Sequence, residues 1–177
     1  IAFVTMPFYF HDVLGYSPTL TGLLMTPWPV AAAIIAPLAG KLSDAYSPVR
    51  LTGVGMGLFA AGLYGITLAA DIDGYGAMVA ALALCGAGFG LFQAPNNRLL
   101  LTSAPRDRAG GASGLLATAR LTGQSIGAAL AAILIGTSGT FDLQSILWVA
   151  SGSAVLAALI CEGRRHALRT GLIAANV

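Results

Sequence analysis

The chain has 177 residues, of which 9% are charged and 56% hydrophobic, with a net charge of +2 and a mean hydropathy of +0.81. Soluble domains carry about 25% charged residues, so this composition excludes an ordinary water-soluble globular enzyme, and the small net charge gives no footing for nucleic acid. The two cysteines, Cys85 and Cys161, have neither C-x-x-C spacing nor a nearby histidine, so no disulfide, metal site or cofactor is expected.

The charges are segregated. Uncharged runs cover Val13 to Gly40, Leu51 to Ala70, Gly74 to Asn97, Ala109 to Phe141 (broken only by Arg120) and Leu143 to Cys161. Each is long enough for a helix of about 20 residues to cross a bilayer. Lys41, Arg50, Arg98, Arg106, Arg108, Arg164, Arg165 and Arg169 all fall on alternate connections. The other connections hold His11, Asp12, Asp71, Asp73 and Asp142 without a Lys or Arg. The positive-inside rule then places 41–50, 98–108 and the tail 162–177 in the cytoplasm.

In chain order, residues 1–10 are apolar but too short to span, and read as the outer end of a helix whose beginning is missing. Gly15-Tyr16-Ser17-Pro18 is a turn signal in an external loop. A span over 20–40 follows, where Pro27, Pro29 and Pro37 are expected to kink the helix because each lacks an N–H. In the loop after it, Asp44 reads either as a cap at the start of the next helix, where the dipole favours an anion, or as part of a solvated turn. The span 51–70 contains Gly53-x-x-x-Gly57, a spacing that permits close helix approach. Gly123 and Gly127 repeat that spacing later in the chain.

The span 76–97 carries Gly86, Gly88 and Gly90. With no preceding strand and no third glycine in register, they do not form a dinucleotide loop. Gln93 and Asn96 are candidates to line a path near the cytoplasmic end of this span, whereas Asn97 is assigned to the headgroup level.

The span 110–136 carries the outlier. At a rise of about 1.5 Å per residue, Arg120 lies roughly 16 Å into a helix starting near Ala109, close to the middle of a hydrocarbon core about 30 Å thick. An arginine there costs at least about 2.5–3.5 kcal/mol unless it faces a partner or a wet cavity. Ser113, Ala117, Arg120, Gln124 and Ala128 recur every three or four residues and share one helix face. Leu115, Leu116, Ile126 and Leu130 surround that small, polar face. A substrate-path or gating role for Arg120, Gln124 and Ser113 follows. A last span covers 144–161.

These spans group as three and three, the arrangement of the three-helix repeats from which transporters are built. The stretch Pro7-Phe-Tyr-Phe-His-Asp-Val-Leu-Gly-Tyr-Ser-Pro18, the turn Ala36-Pro-Leu-Ala-Gly40-Lys-Leu-Ser-Asp44 and the run Gly88-Phe-Gly-Leu-Phe-Gln-Ala-Pro-Asn-Asn97 together resemble the major facilitator superfamily. Within it they are most similar to the C-terminal half of the fourteen-span drug:proton antiporters, and the run from Gly110 through Arg120 resembles the penultimate span of that group. The superfamily's cytoplasmic motif survives as Gly40, Leu42 and Asp44, with Ala45, Ser47, Pro48 and Val49 replacing the rest. No Gly-Pro antiporter motif occurs in the matching span.

The resemblance implies an all-α polytopic membrane protein. Residues 1–177 would form a C-terminal transmembrane half-domain, with five complete spans and one truncated. It implies proton-coupled efflux of drugs or other small hydrophobic or cationic compounds from the bacterial inner membrane. The partners would be the lipid bilayer, the missing N-terminal half, the small-molecule substrate and protons. Proton coupling needs a carboxylate within the membrane, and every acidic residue here lies in a loop or at a span end, so that acid is expected in the other half. Three other readings stand beside this one. They are a transporter of the same superfamily for another solute, a non-transporting truncated subunit, and an intramembrane serine protease built on Gly111-Ala-Ser113-Gly114. The last needs a histidine within reach of Ser113, and His11 and His166 lie outside the spans.

Overall fold

The structure is a computed structural model that describes residues 2–70, 72, 74–102, 104–105, 108–137, 146, 148–157, 159 and 163, with only the backbone at 134–137. Asp71, Asp73, Arg106, Asp107, Asp142, Cys161, Glu162 and the tail from 164 lie outside the described residues. The described elements are α1 (Ala2–Phe8), a π-helical turn (Tyr9–Val13), α2 (Pro18–Met25), α3 (Pro27–Ala45), α4 (Pro48–Ala69), α5 (Tyr75–Thr102) and α6 (Ala109–Thr137), then α7 (Trp148–Ala157). No strand occurs among the described residues. Three spans, Pro18–Ala45, Pro48–Ala69 and Tyr75–Thr102, are long and apolar enough to cross a membrane by length and composition, and α6 reaches 29 residues.

The boundaries follow local chemistry. Gly15 supplies a positive φ of 67°, and the Ser17 hydroxyl accepts from the Leu20 N–H at 3.3 Å, so α2 starts at Pro18. The α2–α3 junction falls at Thr26, just before Pro27. There the Thr26 N–H turns to the Leu23 carbonyl at 3.2 Å, while the Thr26 hydroxyl donates to the Gly22 carbonyl at 2.8 Å. A side chain thus replaces the backbone donor that the proline-containing turn redirects, as spanning helices require. The helix α5 continues to Thr102, through Pro95, rather than ending at Asn97. The run Leu99-Leu100-Leu101 sustains it, and Pro105 disfavours helix in the residue before it.

The helix α5 is the centre of the bundle, packed along α4 on one flank and α3 on the other. Its alternating glycines make this possible. Gly86 and Gly90 lie about 40° apart around the helix, while Gly88 is about 200° from Gly86. A Cβ on Gly90 would meet the Ala32 carbonyl at 2.8 Å, and one on Gly86 would collide with the Trp28 carbonyl, both on α3. Gly88 faces α4 instead, against the Phe59 N–H and the Gly55 carbonyl. In return, a Cβ on Gly55 would lie 2.5 Å from the Phe92 nitrogen, and one on Gly62 would lie 2.6 Å from the Cys85 Sγ.

Gly55 and Gly62, two helical turns apart, are thus packing glycines of α4. Gly57 and Gly123, expected from their spacing to be contact points, have open space where a Cβ would stand. Gly53 is half-buried and Gly127 buried. Spacing shows that a small face exists, but the rotation of the helix decides which face meets a neighbour. Around these contacts Met6, Phe10, Leu63, Ile66, Leu82, Pro95 and Cys85 are fully buried. The helix α6 meets the bundle along α5 and α1, and much of its surface is exposed, including Leu115, Leu121 and Ile133.

Candidate functional site

The loose seating of α6 leaves space on its polar face. A cavity of about 480 Å³ lies between α5 and α6. Asn97 and Leu101 line it from α5, and Ser113, Ala117, Arg120 and Gln124 from α6. A second cavity of about 820 Å³ lies between α6 and the other helices, and Arg120, Gln124, Ser125 and Ala128 form its α6 wall. The helix face read from the sequence is thus the face that lines both cavities, with Arg120 and Gln124 at their junction. Leu116, expected off that face, also lines the smaller cavity. Gln93 and Asn96 line neither; Asn97 takes the place assigned to them.

The opposite wall of the larger cavity is aromatic. Phe3, Trp28, Phe59 and Phe89 all line it, from α1, α3, α4 and α5. They form a chain of ring contacts. Phe3 and Trp28 meet edge-on at 5.6 Å and 77°, Trp28 and Phe59 at 5.6 Å and 71°, and Phe59 and Phe89 at 6.3 Å and 48°. Such geometries are favourable for ring quadrupoles. Only Trp28 is buried, so it roots the wall. No local sequence pattern announces this wall, because each span contributes one ring and the rings lie about thirty residues apart in the chain.

Arg120 makes no hydrogen bond or ion pair to a described residue. An ion pair between described residues forms at the basic end of the bundle, where Arg98 Nη1 donates to Asp44 Oδ1 at 2.5 Å. Asp44 therefore does not cap the following helix. The helix α3 runs on to Ala45 and carries Asp44 in its last turn, while Ser47 and Pro48 begin α4. The pair bridges α3 to α5 with side chains 49% and 66% exposed, and a pair so exposed contributes about 0–1 kcal/mol. Gly40 lies in α3 with open space beside it. At the opposite end, His11 Nδ1–H donates to the Tyr16 carbonyl at 3.1 Å. Desolvation raises the Tyr16 phenol pKa above its ordinary value, and Tyr75 adds to the rise. The Ser113 hydroxyl donates back to the Ala109 carbonyl at 3.0 Å, far from the nucleophile–base geometry a serine protease uses.

The geometry is thus one of long apolar helices around an open, arginine-bearing cavity, and the sequence comparison decides the family. Residues 1–171 match the model of the Major Facilitator Superfamily. The chain belongs to this superfamily. It is 48% identical over 164 residues to the uncharacterized transporter YebQ of Escherichia coli K12, covering 90% of this chain and 35% of that protein. It is 32% identical over 122 residues to multidrug resistance protein Stp of Mycobacterium tuberculosis, covering 69% and 22%. It is 33% identical over 136 residues to the tetracenomycin C resistance and export protein of Streptomyces glaucescens, covering 76% and 25%. The chain spans about a third or less of the length of these curated relatives. No solved structure matches it. As a major facilitator protein with three helices long and apolar enough to cross a membrane among its described residues, it is integral to a membrane.

Proposed function

We propose that these residues form the C-terminal part of a secondary active exporter of small, largely apolar compounds, working by alternating access. The observation that carries this reading is the cavity of about 820 Å³ between an aromatic wall and the Arg120–Gln124 face. Its size lies in the range of about 300–1,000 Å³ typical of ligand pockets, and its lining combines large apolar surface with a few polar groups. The words "multidrug resistance" and "export" in the names of two relatives agree with it. The basic end bearing Lys41, Arg50 and Arg98 would face the cytoplasm and the protein would sit in the bacterial inner membrane. The N-terminal half would close the cavity and supply the carboxylate that couples transport to protons. A cationic substrate would also need its counter-charge from there, since the charged group lining this cavity is a guanidinium.

The test is efflux by the intact transporter carrying Arg120→Gln, expressed in drug-hypersensitive bacteria. Efflux at equal membrane abundance should fall about tenfold or more, the size of one charge-assisted contact. Arg120→Lys should restore part of it, because charge returns without the planar fork. Efflux by Arg120→Gln equal to that of the parent protein would remove Arg120 from the pathway.

A further inference from the structure

Resting on the exporter reading, we infer that the larger cavity selects a planar aromatic anion, a flat ring system bearing a carboxylate, sulfonate or ionised phenol. Three observations combine. The first is charge. Arg120 is the charged residue among those lining either cavity, and it has no partner among the described residues. The acidic side chains described are Asp12 and Asp44. Asp12 lies in the π-helical turn, and Asp44 is occupied by Arg98. An unpaired guanidinium attracts an anion and repels a cation, and its fork matches an oxyanion in two hydrogen bonds.

The second observation concerns the neighbouring donors. Ser113, Thr118 and Thr122 on α6 each donate to the carbonyl four residues back, at 3.0, 2.9 and 2.9 Å. Ser125 and Gln124, which line the larger cavity beside Arg120, make no such bond and no other to a described residue. Their hydroxyl and amide N–H groups are therefore open for an acceptor at the same place as the guanidinium.

The third is shape. The wall facing these donors is the ring chain Phe3–Trp28–Phe59–Phe89. It offers ring faces and edges to a flat ring system, whereas a saturated cage gains only area. Aromatic faces alone would also suit a cation, but the full positive charge across the cavity opposes one. Rings against the wall and acid against α6 satisfy both sides at once.

Two dyes share one xanthene core: fluorescein is an anion at pH 8 and rhodamine 123 is a cation. Binding of each to the intact transporter in lipid nanodiscs is followed by fluorescence anisotropy. Fluorescein should bind about tenfold to a hundredfold more tightly than rhodamine 123, the range of one charge-assisted contact. Arg120→Gln should abolish that preference, and Arg120→Lys should reduce it. Equal binding, or a preference for rhodamine 123, in the parent protein would overturn the inference and leave the cavity as a binding site, with Arg120 neutralised by the other half. An anion preference that survives in monodisperse Arg120→Gln would also overturn it, since the anion would be held elsewhere. Binding of neither dye would remove the inference together with the site it rests on. The comparison of the two dyes in the parent protein decides the matter even if a variant fails to fold.

Discussion

Replacing Gly88 with leucine should abolish assembly of the bundle, while the same replacement at Gly57 should leave it intact. Both glycines sit in the middle of long apolar helices, and composition does not separate them. Geometry does. At Gly88 the added Cβ alone would press on the Phe59 N–H of α4 and stand 2.7 Å from the Gly55 carbonyl, and neither backbone group can swing aside. Overpacking against side chains costs about 1–3 kcal/mol; against backbone on a helix packed on two flanks, relief requires α4 and α5 to separate. At Gly57 nothing lies within 4 Å of a Cβ, and leucine is the better helix former by about 0.8 kcal/mol. Size-exclusion elution of the detergent-solubilised intact protein should show loss of the monodisperse peak for Gly88→Leu and a parental peak for Gly57→Leu. A parental peak for Gly88→Leu would contradict the packing described here.

Removing the Trp28 ring should have the next largest effect. Trp28 is 7% exposed, touches both Phe3 and Phe59 edge-on, and stands where its backbone meets Gly86. Trp28→Ala should lower stability by about 3 kcal/mol, as for a large buried aromatic, and break the aromatic wall at its root. Affinity for an aromatic ligand should fall about tenfold as stacking and wall order are lost together. Trp28→Phe should keep most of both. Thermal unfolding and ligand titration of the same preparations check this. Unchanged affinity in Trp28→Ala would take the wall out of recognition.

The α6 face was legible because a single physical argument identifies it. One arginine in an uncharged run needs a cavity, and helical periodicity names the residues that share it. Ser113, Ala117, Arg120 and Gln124 accordingly line one cavity together. The aromatic wall was not legible, because its rings come from separate helices and meet only through packing. Asp44 was misplaced for a local reason. Helix α3 continues into the stretch that charge and turn residues marked as a loop, which moves Asp44 from a helix start to a helix end and within reach of Arg98. The glycines were legible as a packing surface, but the contact made at Gly55 and Gly62 and not at Gly57 rests on the orientation of α4 toward α5.

On the exporter reading, the Arg120–Gln124 face should line a water-filled path open in turn to each side of the membrane. Gln124→Cys in the intact transporter, with every native cysteine replaced, including Cys85 and Cys161, tests it most directly with a membrane-impermeant maleimide applied to vesicles of either orientation. Labelling from both sides is expected, slowed by a bound ligand, while Leu130→Cys on the neighbouring exposed face stays unlabelled in lipid. Labelling of Gln124→Cys from one side only, or from neither, would contradict it.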